Sequence, residues 1–318
     1  MSTSIAIVLI HQGYSQYIHD SLKQAAHFNP FASIYLIGDR ANNRFSGVHH
    51  WDATKVIQDL PFNSRIYRHL STASYNFELF CFQRWFLLRE MMERENIHRV
   101  FYMDSDVMLY WSIASIAEEL PDHQMACLIA KHQDNYRWAA SAHNSFWCRE
   151  VLEEFCDFTL KTYTDNSRIS RLVRKYEFQK RHGLPGGICD MTLLYLFSLE
   201  HQVLNLATVR KGSVFDLAVG TGENFDTDEY YVENRIKKFS WKDGTPYSLN
   251  RITGQQVRFN ALHFQGNAKT VMSQYLTSKI SSPQSGLFEI EQIPVFKRIA
   301  TRLRSSRPFG RKGVQPLR

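Results

Sequence analysis

Long hydrophobic runs are missing from this 318-residue sequence. The longest apolar opening run, Ile5 to Ile10, is six residues, far short of the roughly 20 that cross a bilayer. No Lys or Arg precedes it, so it does not read as a secretory leader, and a cytoplasmic protein is expected. Cysteine is scarce: Cys81, Cys127, Cys148, Cys156 and Cys189, with no CxxC pair. That odd count and spacing argue against a zinc ribbon or redox dithiol and point to free, mostly buried thiols. A glycine-rich phosphate loop is also absent after the first apolar run, where His11-Gln12-Gly13-Tyr14 offers one glycine and no Lys or Arg. No internal repeat is visible.

What is there suits a soluble α/β protein, with 44% hydrophobic and 22% charged residues. The length is ample for one large core. The net charge of +7 is unevenly placed. Eight basic and no acidic residues lie between Lys297 and Arg318, and without them 30 basic residues face 31 acidic ones. A near-neutral body does not suit a nucleic-acid binder, whose charge spreads over a folded face. The basic extension, 277–318, suits peripheral contact with an anionic membrane through 297–318.

Hydrophobic patterning predicts a strand over Ser4–Ile10, a helix over Tyr14–Phe28 stopped by Pro30, and a strand over Ser33–Gly38 ending at Asp39. Strand, helix, strand in forty residues is a βαβ unit and implies a parallel sheet, with ligands beyond the carboxyl ends of its strands. A long helix over Phe77–Asn96 leads to a strand, Arg99–Leu109, interrupted by two aspartates. Met125–Ala130 reads as a strand, and Asn144–Cys148 as the lead-in to a helix over Arg149–Tyr163. From Arg168 to Arg181 six basic residues face Glu177 alone, a run that is a solvated helix face or one that meets an anionic acceptor or a membrane. Gly186-Gly187 turns into a helix over Asp190–Leu199; late strands follow at Gln202–Leu206 and Arg258–Phe264. The loop-rich stretch 211–256 is the candidate for an appended or acceptor segment within a catalytic body of 1–276.

Asp104-Ser105-Asp106 follows a Val-Phe-Tyr-Met strand. Two carboxylates at a buried strand end repel, and a hard divalent ion with oxygen ligands relieves that cost. The second such tripeptide, Asp226-Thr227-Asp228, sits among polar residues and reads as a solvated loop. Ala261 to Lys269 (ALHFQGNAK) supplies the rest. His263 ends an apolar strand and could bring an imidazole to the same ion. Gly266 would let a phosphate approach the backbone, and Lys269 could neutralise its oxygens. Asp39 could meet a nucleoside lying near His11 to Tyr14.

Asp-Ser-Asp after a hydrophobic strand, followed much later by His-x-x-Gly-x-x-Lys, resembles the GT-A-fold glycosyltransferases, and is most similar to the retaining family 8 enzymes. The resemblance spans roughly Ile5 to Lys269. It implies a mostly parallel sheet flanked by helices, manganese or magnesium held by Asp104, Asp106 and His263, and a nucleotide-sugar donor, UDP-hexose above all. It further implies that Lys269 contacts the donor diphosphate with the Gly266 amide nearby, that Arg84 of Phe-Gln-Arg-Trp-Phe lies near the donor, and that Asn144-Ser145-Phe146 helps hold the donor sugar. The acceptor would be a glycan or lipid-linked.

Two departures stand out. Cys189-Asp190-Met191 matches the family's Asp-Gln-Asp segment only at Asp190, and Met191 replaces the glutamine beneath the anomeric carbon. Thr270-Val271 replaces the family's Pro-Trp. Under retention the departing phosphate can take the acceptor's proton; under inversion Asp190 is the candidate general base, unless it merely caps its helix. A catalytically silent sugar- or nucleotide-binding protein stays open on these departures. A sugar nucleotidyltransferase is disfavoured by the missing glycine-rich loop.

Overall fold

A computed structural model of the chain describes residues 5–117, 125–224 and 227–277. Its elements run β1 (Ala6–His11), α1 (Gln16–Phe28), β2 (Ile34–Gly38), β3 (His49–Asp52), α2 (Tyr75–Arg94), β4 (Arg99–Met103), β5 (Val107–Leu109), α3 (Ile113–Ala117), β6 (Met125–Ile129) and β7 (Ala140–Cys148). There follow α4 (Arg149–Thr164), α5 (Asn166–Arg181), α6 (Asp190–Ser198), β8 (Val203–Asn205), β9 (Ser213–Phe215), β10 (Val232–Glu233), β11 (Ile236–Lys237), β12 (Ser240–Lys242), β13 (Thr245–Leu249) and β14 (Gln256–His263). A 3-10 segment, Gly266–Tyr275, closes the described chain.

The main sheet has the order β3-β2-β1-β4-β7-β6-β8. All its strands run parallel except β7, which is antiparallel to β4 and β6. β1 is a continuous apolar run because both its faces are covered. One face packs Trp85, Phe86, Trp147, Phe155 and Phe197 with α2, α4 and α6. The other packs Ile7, Leu9, Phe101 and Phe146 against Ile18, Leu22 and Ala25 of α1. This is the mixed, mostly parallel α/β architecture that the sequence implies. β3 was not foreseen, because His49-His50-Trp51-Asp52 carries no apolar alternation.

Two expectations need correction. Arg99–Leu109 is not one interrupted strand: Asp104 to Asp106 form a turn, and β5 leaves the main sheet to pair with β14. Nor is 211–256 mainly loop. It folds as β9 to β13: β12 and β13 complete the second sheet, β12-β13-β14-β5, β9 lies alongside β14, and β10 and β11 pair with each other. Short strands of two to five residues with polar members give little sequence signal; pairing with the apolar β14 orders β9 and β13, and β13 in turn orders β12. The cysteines are unpaired, as expected. No described helix is long and apolar enough to cross a membrane. The basic segment 297–318 and Asp226 lie outside the described residues, as does everything from 278 onward.

Candidate active site

The chain winds from β1 outward to β2 and β3, then returns to the other side of β1 to make β4. Such a reversal opens a crevice above the strands' carboxyl ends. His11 ends β1 there, Asp39 follows β2 and Asp104 follows β4. His11 Nδ1 lies 2.8 Å from Ser105 Oγ, closing one strand end against the other.

His263 reaches the crevice from the second sheet. β14 pairs antiparallel with β5, so His263 sits opposite Val107, and Phe264 N–H donates to the Asp106 carbonyl at 2.9 Å. Asp104, Asp106 and His263 thereby offer ligand atoms that all lie within 4.8 Å of one another. Nε2 of His263 is 3.5 Å from Asp106 Oδ1, and Lys269 Nζ is 3.0 Å from Asp106 Oδ2. Because a carbonyl only accepts, the 2.6 Å contact of His263 Nδ1 with Leu217 O fixes Nδ1 as the donor. Nε2 is thus the atom left to face the carboxylates, an arrangement shared with metal-ligating histidines.

The electrostatics match this donor set. Burial alone would raise the Asp106 carboxyl; the hydrogen bond and charge of His263, with Lys269, outweigh it and hold Asp106 well below the usual carboxylate range. Burial would lower His263 and Lys269, and Asp106 reverses both, raising each above its ordinary value. Two carboxylates with one imidazole form an oxygen-rich, hard set that fits manganese or magnesium.

Asp104 is tied to the opposite wall. Its Oδ1 accepts from Tyr102 O–H at 2.6 Å and from Arg84 Nη1 at 3.0 Å. Arg84 in turn grips Asp190 Oδ2 through Nε at 2.9 Å and through Nη2, and Trp85 Nε1 donates to the same oxygen at 3.0 Å. Burial would lower the guanidinium, but Asp190, Tyr102 and Asp104 keep it firmly charged. Arg84, Asp104 and Asp190 are therefore one connected group.

The other expected residues are placed less centrally. Asp39 spends both carboxylate oxygens on backbone, accepting from Gly13 N–H at 2.7 Å and from Ala41 N–H at 2.8 Å, which ties the loops after β1 and β2 together. Gly266 has φ +61, a conformation glycine tolerates, and an added Cβ would meet open space. Asn144 lies inside β7, opposite Met103, fully buried, with no hydrogen-bond partner for its side-chain atoms. It is part of the strand beside the aspartates, and the rest of that strand runs through Cys148 directly into α4, as expected. Met191 packs against the apolar cluster on the α1 side of the sheet.

Sequence reasoning missed the support behind His263. Asp216 Oδ2 accepts His263 N–H at 3.2 Å, and its Oδ1 holds the buried ammonium of Lys237 at 2.6 Å. Lys237 also donates to the Ala218 carbonyl at 2.6 Å. His143 Nε2 lies 2.8 Å from the Asp216 carbonyl. Burial, aided by the charge on His263, pushes His143 well below its usual value, so it stays neutral. Nothing in the sequence pattern marks Asp216 or Lys237. Tyr102 was accessible to reasoning, since residues two apart on a strand share a face.

No family model matches this sequence, and no curated protein does. Solved structures do. The chain is similar to mouse xyloside xylosyltransferase 1 in its apo form, at 12% identity and a TM-score of 0.47, covering 66% of this chain and 88% of that one. It is similar to the galactosyltransferase LgtC in complex with donor and acceptor sugar analogues, at 13% identity and a TM-score of 0.45, covering 88% of this chain and 98% of that one. The glycosyltransferase GlyE of Streptococcus pneumoniae TIGR4 aligns over 64% of this chain and 45% of its own length, at 16% identity and a TM-score of 0.37.

Proposed function

We propose that this protein is a metal-dependent glycosyltransferase that moves a hexosyl group from a nucleotide sugar, UDP-linked, to a glycan or lipid-linked acceptor, with retention of configuration. The observation that carries the reading is the convergence of Asp104, Asp106 and His263 within 4.8 Å, with Lys269 against the same carboxylate. Asp104, Asp106 and His263 would hold the ion. When bound, it supplies positive charge against a diphosphate leaving group.

The chain's own residues divide the remaining work. Lys269 is half-buried and reaches the site from just beyond Gly266, where its ammonium can meet donor oxygens as negative charge grows on them. Arg84 keeps its guanidinium between Asp104 and Asp190, fixing the carboxylate that faces the donor. The occupied Asp190 oxygen supports retention, because a carboxylate already gripped by Arg84 and Trp85 is poorly placed to take a proton from an acceptor. Asn144, fully buried and unpartnered beside the aspartates, has hydrogen-bonding capacity to give to a donor sugar.

The test is calorimetric titration of UDP, GDP and CDP with and without manganese, followed by assay of nucleoside diphosphate release from a panel of nucleotide sugars. UDP binding that requires manganese is expected, with release abolished in Asp106→Ala. Metal-independent or GDP-selective binding would overturn the assignment, and binding without release in the presence of acceptors would leave a silent binding protein.

A further inference from the structure

We propose that the flank of α5 facing the loop 131–139 seats the acceptor, and that this acceptor is an anionic oligosaccharide. The inference rests on the transferase reading and names its second substrate.

Arg171, Arg174, Phe178 and His182 recur at three- and four-residue spacing, so they form one stripe about 16 Å long at 1.5 Å per residue. The loop between β6 and β7 lies against it. Arg171 stands over the Trp138 ring at 4.8 Å, Tyr136 packs on Phe178 at 5.1 Å, and Phe178 on His182 at 4.1 Å. The stripe therefore mixes planar cations with aromatic faces. Guanidiniums bind carboxylates and phosphates in a two-pronged manner, and flat rings stack on the C–H faces of sugars. No described carboxylate lies within salt-bridge distance of Arg171 or Arg174. Among the described residues neither has an ion-pair partner, which favours an anionic occupant.

The surface is built rather than incidental. Lys175, on the same helix, is 2% exposed and donates to the carbonyls of Tyr136 at 2.7 Å and Arg137 at 3.1 Å. It fixes a loop in which Asn135, Tyr136 and Trp138 all have positive φ, at 52°, 58° and 37°. Such conformations are unfavourable for residues other than glycine and persist where surrounding contacts enforce them.

Its position suits an acceptor. Trp138 lies two residues before the start of β7, the strand that carries His143. At the other end, α5 runs through Gly186 and Gly187 into Asp190, and this connection is fastened to the chain before α2 by Thr72 N–H to Gly186 O at 2.8 Å and Ile188 N–H to Leu70 O at 2.7 Å. Both ends of the stripe's supports thus lead into the candidate site. A membrane-inserting surface presents protruding apolar side chains. Tyr136, Trp138 and Phe178 are instead half-buried, and the most exposed large apolar side chains among the described residues, Phe31, Phe77 and Ile252, are not part of the stripe.

The experiment titrates the full-length protein with a hexamer of galacturonic acid and with maltohexaose, at low and at physiological salt. Expected are binding of the acidic hexamer, weakening with salt, tenfold or more weaker binding of maltohexaose, and at least tenfold loss of hexamer binding in Arg171→Glu/Arg174→Glu, whose thermal melt shows it folded. Equal binding of the two hexamers, binding of neither, or an undiminished affinity in the folded double variant would overturn the proposal. So would a protein that ignores the hexamer but binds phosphatidylglycerol vesicles through the same arginines. UDP titration with manganese on the unaltered protein reads the donor side separately. Its failure beside retained hexamer binding would sink the transferase and leave an anionic glycan-binding surface.

Discussion

The imidazole of His143 lies nearly flat against that of His263, ring centroids 4.1 Å apart and planes 19° from parallel. The two rings come from different sheets, β7 of one and β14 of the other. A neutral ring, locked by Ser141 Oγ at 2.7 Å and the Asp216 carbonyl at 2.8 Å, fixes the plane in which the candidate ligand presents Nε2. His143→Ala removes that wall and is expected to weaken manganese affinity about tenfold or more, while His143→Phe, which keeps a flat face, restores part of it. Metal titration on folded variants decides this; equal affinity in all three proteins would refute the stacking role.

Asp216 and Lys237 form a fully buried ion pair behind the same histidine. Lys237→Met strands the Asp216 charge in a dry environment, at a cost of about 3–5 kcal/mol in urea unfolding. Asp216→Asn keeps the volume but weakens the hold on His263 N–H, and a 10–100-fold drop in metal affinity is expected, as for other outer partners of metal ligands. Unchanged metal affinity would limit the pair to stability.

Arg84 and Asp190 should behave as a unit. Arg84→Met and Asp190→Asn are each expected to lower turnover strongly, and the double variant to be little worse than either. The coupling should exceed about 1 kcal/mol, the range of contacting charged partners. Additive losses would separate the two residues, and a pH-rate limb lost only in Asp190→Asn would return Asp190 to the role of general base.

Gly187 has φ +141, and a Cβ there would stand 2.4 Å from the Leu70 carbonyl oxygen and 2.5 Å from Ser71 Cα. These are backbone atoms and cannot turn aside. Gly187→Ala should cost more than about 1 kcal/mol in urea unfolding, whereas Gly183→Ala, which meets open space and only its own backbone strain, should cost less.

Burial pushes the Lys175 ammonium down to about 8. Its folded value lies below the unfolded one, so between about pH 8 and 10.5 the unfolded chain binds more protons. Stability carried by this group therefore rises with pH through that window, by at most about 1.4 kcal/mol per unit, and is flat below it. The difference in unfolding free energy between the native protein and Lys175→Met, followed from pH 7 to 10, should show this slope; a constant difference would refute it.

The sequence by itself determined the βαβ start, the apolar β1, β4 and β14, and the candidate residues Asp104, Asp106, His263 and Lys269. Local patterning suffices there: buried strands must be apolar, and charged residues directly beyond them need a partner. Arg84 and Asp190 were legible as candidates, but not as partners, because 106 residues separate them and only the packing of α2 and α6 on one face brings them together. The second sheet around β14, and the support that Asp216, Lys237 and His143 bring to His263 from outside that strand, were decided by tertiary structure alone. The strands that join β14 are short or polar, and the gathering follows from the antiparallel register of β5 with β14, a long-range pairing that local periodicity does not encode.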